Sequence, residues 1–199
     1  MRQAQGFTLI ELLVTMVLAA ILLTWGVPSF RAMITNNRIA SQGNSLMAAI
    51  NTARSAAVSR STSVSVCPSA NGQSCTTGTS ANWASGWIVF TDANNSGVLN
   101  SSNQIIQSST ADSSGTTTTA SEVAGLASSG GTLTGFTVVT SGTPAYLSYL
   151  PSGLLANGPA TGDVYMLFLK PQVCSGQQAL GVVVNPLGQP ASMPASCKL

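Results

Sequence analysis

The sequence predicts an α+β fold: one long N-terminal helix, a transmembrane stalk continued by an amphipathic half, packed on an antiparallel β-sheet head. Three observations carry this. An apolar run of helical length extends from Phe7 to Phe30. Apolar residues then recur at near-helical spacing as far as Arg60. Beyond Arg60 the hydrophobic period changes to two, and short strand-like runs alternate with turn-rich segments. A helix followed by consecutive strands is the order of a domain whose helix lies on an antiparallel sheet.

The run FTLIELLVTMVLAAILLTWGVPSF, Phe7 to Phe30, carries one ionisable side chain, Glu11. At about 1.5 Å per residue it spans a hydrocarbon core of about 30 Å. It is too long for a signal-peptide core, and no small-x-small cleavage site follows it. A carboxylate inside a membrane helix is costly and calls for a partner, so Glu11 reads as functional. Pro28 removes a backbone donor and crowds the preceding turn, so a kink or local loosening is expected there. Past the run, Phe30, Met33, Ile34, Ala40, Met47, Ile50, Ala53 and Ala57 form the expected apolar stripe towards the head. Gly43 is a weak point in that helix.

Strands are expected at Ser61–Pro68, Gly86–Thr91, Gln104–Ser108, Gly135–Thr140, Ala145–Leu150, Val164–Leu169 and Leu180–Val184. Ser113–Gly131 is a low-complexity Ser/Thr/Gly/Ala segment and reads as a surface loop. The last stretch, Gly188 to Leu199, reads as a tail after the final strand.

Charge is scarce: 7 Lys+Arg and 5 Asp+Glu in 199 residues, with no His. Without His, no Ser-His-Asp or Cys-His nucleophile and no His-ligated zinc site can be built. The two lysines, Lys170 and Lys198, sit in no recognisable motif, so no enzyme and no cofactor is expected. Four cysteines allow three pairings. Proximity favours Cys67–Cys75 and Cys174–Cys197. Zinc is the alternative, but no C-x-x-C spacing occurs, and an exported head favours disulfides. Asp92, Asn94 and Ser96, with Gly97, copy the first half of a calcium loop. Asn103 stands where that loop needs Glu, so a turn held by Asp and Asn side chains is expected in place of a metal site.

Gly6-Phe7-Thr8-Leu9-Ile10-Glu11, followed by the apolar run, resembles the signal of type IV prepilins and pseudopilins. The resemblance implies a pilin-like fold and a leader, residues 1–6, cut by a prepilin peptidase between Gly6 and Phe7, with methylation of the new N-terminus. It implies that Glu11 meets the N-terminal amine of a neighbouring subunit during assembly, and that a melted stretch lies near Pro28. It places the transmembrane helix at 7–30, its amphipathic continuation at 31–60 and a periplasmic head at 61–199. The protein is expected in the inner membrane with its N-terminus cytoplasmic. Arg2 alone precedes the span while Arg31 and Arg38 follow it, so this orientation comes from the resemblance and not from charge.

Leu46 to Arg60 with Val64-Ser65-Val66-Cys67, then Trp83 to Asp92 with Asn94, Asn95 and Gly97, then Val182-Val183-Val184-Asn185-Pro186-Leu187-Gly188, are similar to proteins of the GspH/FimT type. This implies a minor subunit: a minor pilin helping to start a type IV pilus near its tip, or alternatively the H-type minor pseudopilin of a type II secretion system. Its partners would be other minor and major pilins or pseudopilins. A DNA-uptake role is disfavoured. Beyond Arg60 only Lys170 and Lys198 face Asp92, Asp112, Glu122 and Asp163, whereas DNA affinity needs a basic footprint. Arg31, Arg38, Arg54 and Arg60 lie on the helix, where the head and filament packing are expected to cover them. The arginines that DNA-binding relatives carry after the last strand are missing from Gly188 to Leu199.

Overall fold

The structure, a computed structural model, describes residues 7–76, 83, 86–110, 137–138, 145–158, 163–169 and 179–195. One helix, α1, runs from Leu9 to Arg60, 52 residues or about 78 Å. Helical backbone continues through Pro28 without interruption. Ser61 ends the helix in the left-handed conformation, φ 49°, and its N–H bonds to Val58 O. The chain then turns directly into the first strand.

Eight strands follow: β1 (Val64–Pro68), β2 (Gly86–Thr91), β3 (Ile105–Thr110), β4 (Thr137–Val138), β5 (Leu147–Tyr149), β6 (Asp163–Leu169), β7 (Ala179–Val184) and β8 (Pro190–Ala195). They form two four-stranded sheets, in the orders β3-β2-β1-β5 and β4-β6-β7-β8. All pairings are antiparallel except β4 with β6. The C-terminal half of α1 touches β1, β2 and β5 of one sheet and β7 and β8 of the other. The helix is therefore the element that joins them.

The stripe that does so differs from the one expected from spacing. Ile39, Gly43, Leu46, Ala49, Ile50, Ala53, Ala56 and Ala57 are buried. Phe30, Met33, Ile34 and Ala40 are exposed, and Met47 is only half-buried. Among the described residues the buried stripe begins at Ile39, so Phe30, Met33 and Ile34 lie ahead of the seat, while Ala40 and Met47 lie on turns of the helix to the side of it. Small side chains at 49, 53, 56 and 57 let the backbone approach the sheets closely. Gly43, expected as a weak point, is a contact of this kind. A Cβ there would fall 2.1 Å from Leu180 Cδ2 of β7.

In the first sheet β1, β2 and β5 are buried on both faces, whereas β3 is exposed or half-buried. Val64, Val66, Trp87, Val89, Leu147 and Tyr149 join the core under the helix. Cys67, Ile88 and Phe90, on the alternate positions, form a second cluster with Cys75, Leu99 and Tyr146. β8 was not expected at all. It pairs with β7 from Ala179↔Ala195 to Val184↔Pro190, and its two prolines disguise it as a tail.

Candidate assembly site

The helix start is built from the motif that the sequence singled out. Phe7 is exposed and non-helical and immediately precedes the N-cap. Gly6 lies outside the described residues. Thr8 is the N-cap: its hydroxyl accepts the Glu11 N–H at 3.3 Å, and its carbonyl accepts the Leu12 N–H at 3.2 Å. The Glu11 carboxylate reaches back to the Thr8 N–H and hydroxyl, both at 3.4 Å. This is a capping box, in which two orphan donors of the first turn are satisfied reciprocally. A negative charge in that turn also favours the helix dipole. Sequence reasoning treated Glu11 as partnerless until assembly. The T-x-x-E spacing ahead of an apolar run was the signal that would have found its local partner.

From Leu9 to Phe30 the described side chains are exposed all round the helix. Phe7, Leu9 and Leu22 are 85%, 84% and 72% exposed, which no water-facing helix of this length tolerates. The two threonines within the run hide their polarity in their own helix. Thr15 donates to Leu12 O at 2.9 Å and Thr24 to Ile21 O at 2.6 Å. That is how hydroxyls are accommodated where water is absent. The helix is long and apolar enough to cross a bilayer.

In the head, Cys67 and Cys75 are joined, their Cα atoms 5.6 Å apart. The loop between them is closed by Thr76 N–H to Pro68 O at 2.8 Å and organised by Asn71, whose Oδ1 accepts the N–H groups of Gln73 and Ser74 at 2.9 Å each. The disulfide thereby holds Cys75 against the cluster on the second face of the first sheet. Cys174 and Cys197 lie outside the described residues. The chain departs towards both at one end of the second sheet, where Leu169 faces Leu180 and Ala179 faces Ala195.

Asp92 is buried and its carboxylate is fully engaged. Oδ2 accepts the Ser65 hydroxyl at 2.6 Å and the Gly97 N–H at 2.8 Å. Oδ1 accepts the Ser96 N–H and hydroxyl at 3.1 and 3.2 Å. Asn94 and Ser96 are exposed, and the Asn103 amide donates to Thr91 O. Asn95, φ 54°, accepts the Tyr146 hydroxyl on its carbonyl and the Ser148 hydroxyl on its side chain. The half-calcium motif is thus a turn that folds back over Ser65 and Ser148 and fills their hydrogen bonds.

Two shallow grooves flank Arg54. One of about 530 Å³ is lined by Asn51, Arg54, Asn185 and Gln189, among others; one of about 500 Å³ includes Ser55, Val58, Ser59 and Gly153. Neither lining holds a paired acid and base. Arg54 is half-buried and donates from Nε to Gly153 O at 3.0 Å. Arg60 donates to Gln104 Oε1 at 2.7 Å. In the single chain Arg31, Arg38 and Arg60 are exposed and not covered by the head. Tyr149, packed beneath α1, donates its hydroxyl to Gly188 O at 2.7 Å. Burial holds that hydroxyl well above the ordinary phenol range, with the Arg54 charge acting in the opposite sense.

Comparison with protein families agrees with both ends of this description. The model of the prokaryotic N-terminal methylation motif matches residues 1–27. That of the type II transport protein GspH matches residues 42–188, about three quarters of the chain. The chain belongs to the GspH family. As a GspH-family chain it is a pilin-like minor subunit of the type II secretion and type IV pilus kind, a family of structural proteins rather than enzymes. The match begins at the seat of α1 on the head and ends in the turn before β8. No curated protein and no solved structure gives a significant match.

Proposed function

We propose that this GspH-family chain is a minor pilin, a structural subunit that helps initiate a type IV pilus near its tip. The observation that carries this reading is the division of α1. A bare apolar half with a capped glutamate at its start is continuous with a half that seats a folded head. Such a helix is stable in a bilayer, or surrounded by copies of similar helices, and nowhere else in water.

In this reading a prepilin peptidase cuts at Gly6–Phe7 and methylates Phe7. The exposed, non-helical Phe7 supports access to that bond. The freed amine of a neighbouring subunit then competes with Thr8 for the Glu11 carboxylate. The Thr8 bonds at 3.4 Å are long, and a full cation is the stronger partner in a low dielectric. The chain would sit in the inner membrane with its head in the periplasm. DNA is not proposed as a ligand: beyond Arg60 the chain carries two lysines against four carboxylates, too little positive charge for a phosphate footprint.

The test separates insertion from assembly. Glu11→Ala should keep or raise the amount of protein in the membrane and lower its incorporation into filaments. Normal incorporation would remove the proposed role of Glu11. Intact Met1 at the N-terminus in cells with active peptidase would remove the processing step. The description of the matched family, type II transport, favours a second reading as an H-type minor pseudopilin. Deleting the gene decides: loss of surface pili supports the first reading, and loss of protein secretion with pili intact supports the second.

A further inference from the structure

Among the described residues the two sheets have four edge strands, β3, β5, β4 and β8. An open edge is a template for pairing with another chain. In a filament, where heads are held side by side at high local concentration, that hazard is greatest. β5 is covered by its own return loop: the Ala156 N–H bonds to Ser148 O at 2.7 Å, and the Ser148 N–H bonds to Asn157 Oδ1 at 3.0 Å. β3 is bulged, because its register to β2 slips by one between Val89↔Gln107 and Phe90↔Ile105. Of β4 only Thr137–Val138 are described. β8 is six residues long and regularly paired on its inner side, and it carries no charge that would repel a second strand.

Its hydrogen-bond phase is set by the turn before it. The Asn185 N–H donates to Gln189 O at 3.2 Å, and the Gly188 N–H to Asn185 O at 2.8 Å. Asn185 and Gln189 are therefore a hydrogen-bonded pair. In an antiparallel ladder such pairs alternate with non-bonded ones. Followed along the register, Ala191, Met193 and Ala195 bond to β7, whereas Pro190, Ser192 and Pro194 turn their backbone nitrogens away from β7, to an edge that no other described strand pairs. Two of the three outward positions are thus the one residue type with no N–H to donate. A proline one position earlier or later would break the ladder to β7; here both cost that ladder nothing.

We propose that Pro190 and Pro194 close the β8 edge to strand addition, so that a neighbouring subunit meets this sheet through side chains and helices and never through a shared sheet. The closure is a property of the single chain. Its use in a filament rests on the assembly role proposed above. It is also outside what the family match conveys, since that match ends at Gly188.

The experiment uses the full chain in detergent micelles, compared with Pro190→Ser/Pro194→Ser. Serine restores both outward N–H groups without adding apolar surface. Self-association is followed by sedimentation and light scattering, and hydrogen exchange reads the amides of residues 190–195. The double variant should self-associate at a concentration lower by on the order of ten-fold or more, with new protection at positions 190, 192 and 194. Ser192→Pro, which removes the last outward donor, should associate no more than the unaltered chain. If the double variant loses its near-UV circular dichroism, Pro194→Ser alone decides by the same readouts. A folded variant that stays dispersed like the parent, or one that associates without protection at those amides, overturns the proposal. Neither result depends on whether the chain enters a pilus or a pseudopilus.

Discussion

The two halves of α1 are continuous helix with opposite relations to their surroundings. From Leu9 to Phe30 apolar side chains face outward on every side; from Ile39 to Arg60 only one stripe is buried, and mostly polar residues cover the rest. The first half has no partner among the described residues and needs a bilayer or other helices to be stable. The second half has its partner already, in the paired inner faces of two sheets. A helix alone does not reveal which kind it is. The distribution of apolar residues around its axis does, because burial on one face needs only a stripe, while immersion in lipid needs the whole circumference.

Matched substitutions in the two halves make the contrast measurable. The largest difference is expected for Leu46→Ala against Leu22→Ala. Leu46 is fully buried and Leu22 is 72% exposed. The first should lower head stability by about 3 kcal/mol, the usual range for emptying a core leucine. The second should leave it unchanged. Denaturant unfolding of the chain in micelles, followed by near-UV circular dichroism, reads both. Equal effects would mean that the whole helix, and not its second half, supports the head.

A smaller difference is expected when bulk is added. Gly43→Leu drives a side chain into Leu180, whereas nothing lies within 4 Å of the position a Cβ would take on Gly26. Overpacking should cost the head about 1–3 kcal/mol at 43. Gly26→Leu should leave head unfolding where it is. An unaltered midpoint for Gly43→Leu would show that α1 rides further from β7 than the structure has it.

The smallest effect is the one beneath the seat. Tyr149→Phe removes the hydroxyl bonded to Gly188 O and should cost about 1 kcal/mol near neutral pH. The same hydroxyl gives a pH signature. Its folded pKa is raised above the ordinary value of 10.0 by burial. The folded state therefore holds the proton after the unfolded chain has released it. The contribution is fully present below about pH 10 and is lost as pH rises beyond that value. Tyr165, raised by its own burial, acts in the same direction, so Tyr149→Phe should flatten the alkaline fall in stability without abolishing it. A parallel pH profile for parent and variant would show that Tyr149 does not carry the effect.

Local order along the chain made much of this molecule legible. The apolar run, the change of period after Arg60, and strands near β1, β2, β3, β5, β6 and β7 follow from neighbours a few residues apart. So does the Asp92 turn, whose ligand-like string is completed by its own backbone N–H groups. The capping box was also local and could have been read from Thr8 and Glu11. What spacing could not convey is where the head begins to touch α1: Phe30, Met33 and Ile34 repeat as regularly as Ile39, Leu46 and Ala53, yet only the latter meet a sheet. The division into two sheets, and the use of one helix to bridge them, belong to the same class, because they depend on which strands meet across long stretches of chain. β8 is the clearest case. In isolation Pro190 and Pro194 argue against a strand. On an edge, with both nitrogens turned away from β7, they argue for one, and being on an edge is decided only when the other strands have taken their places.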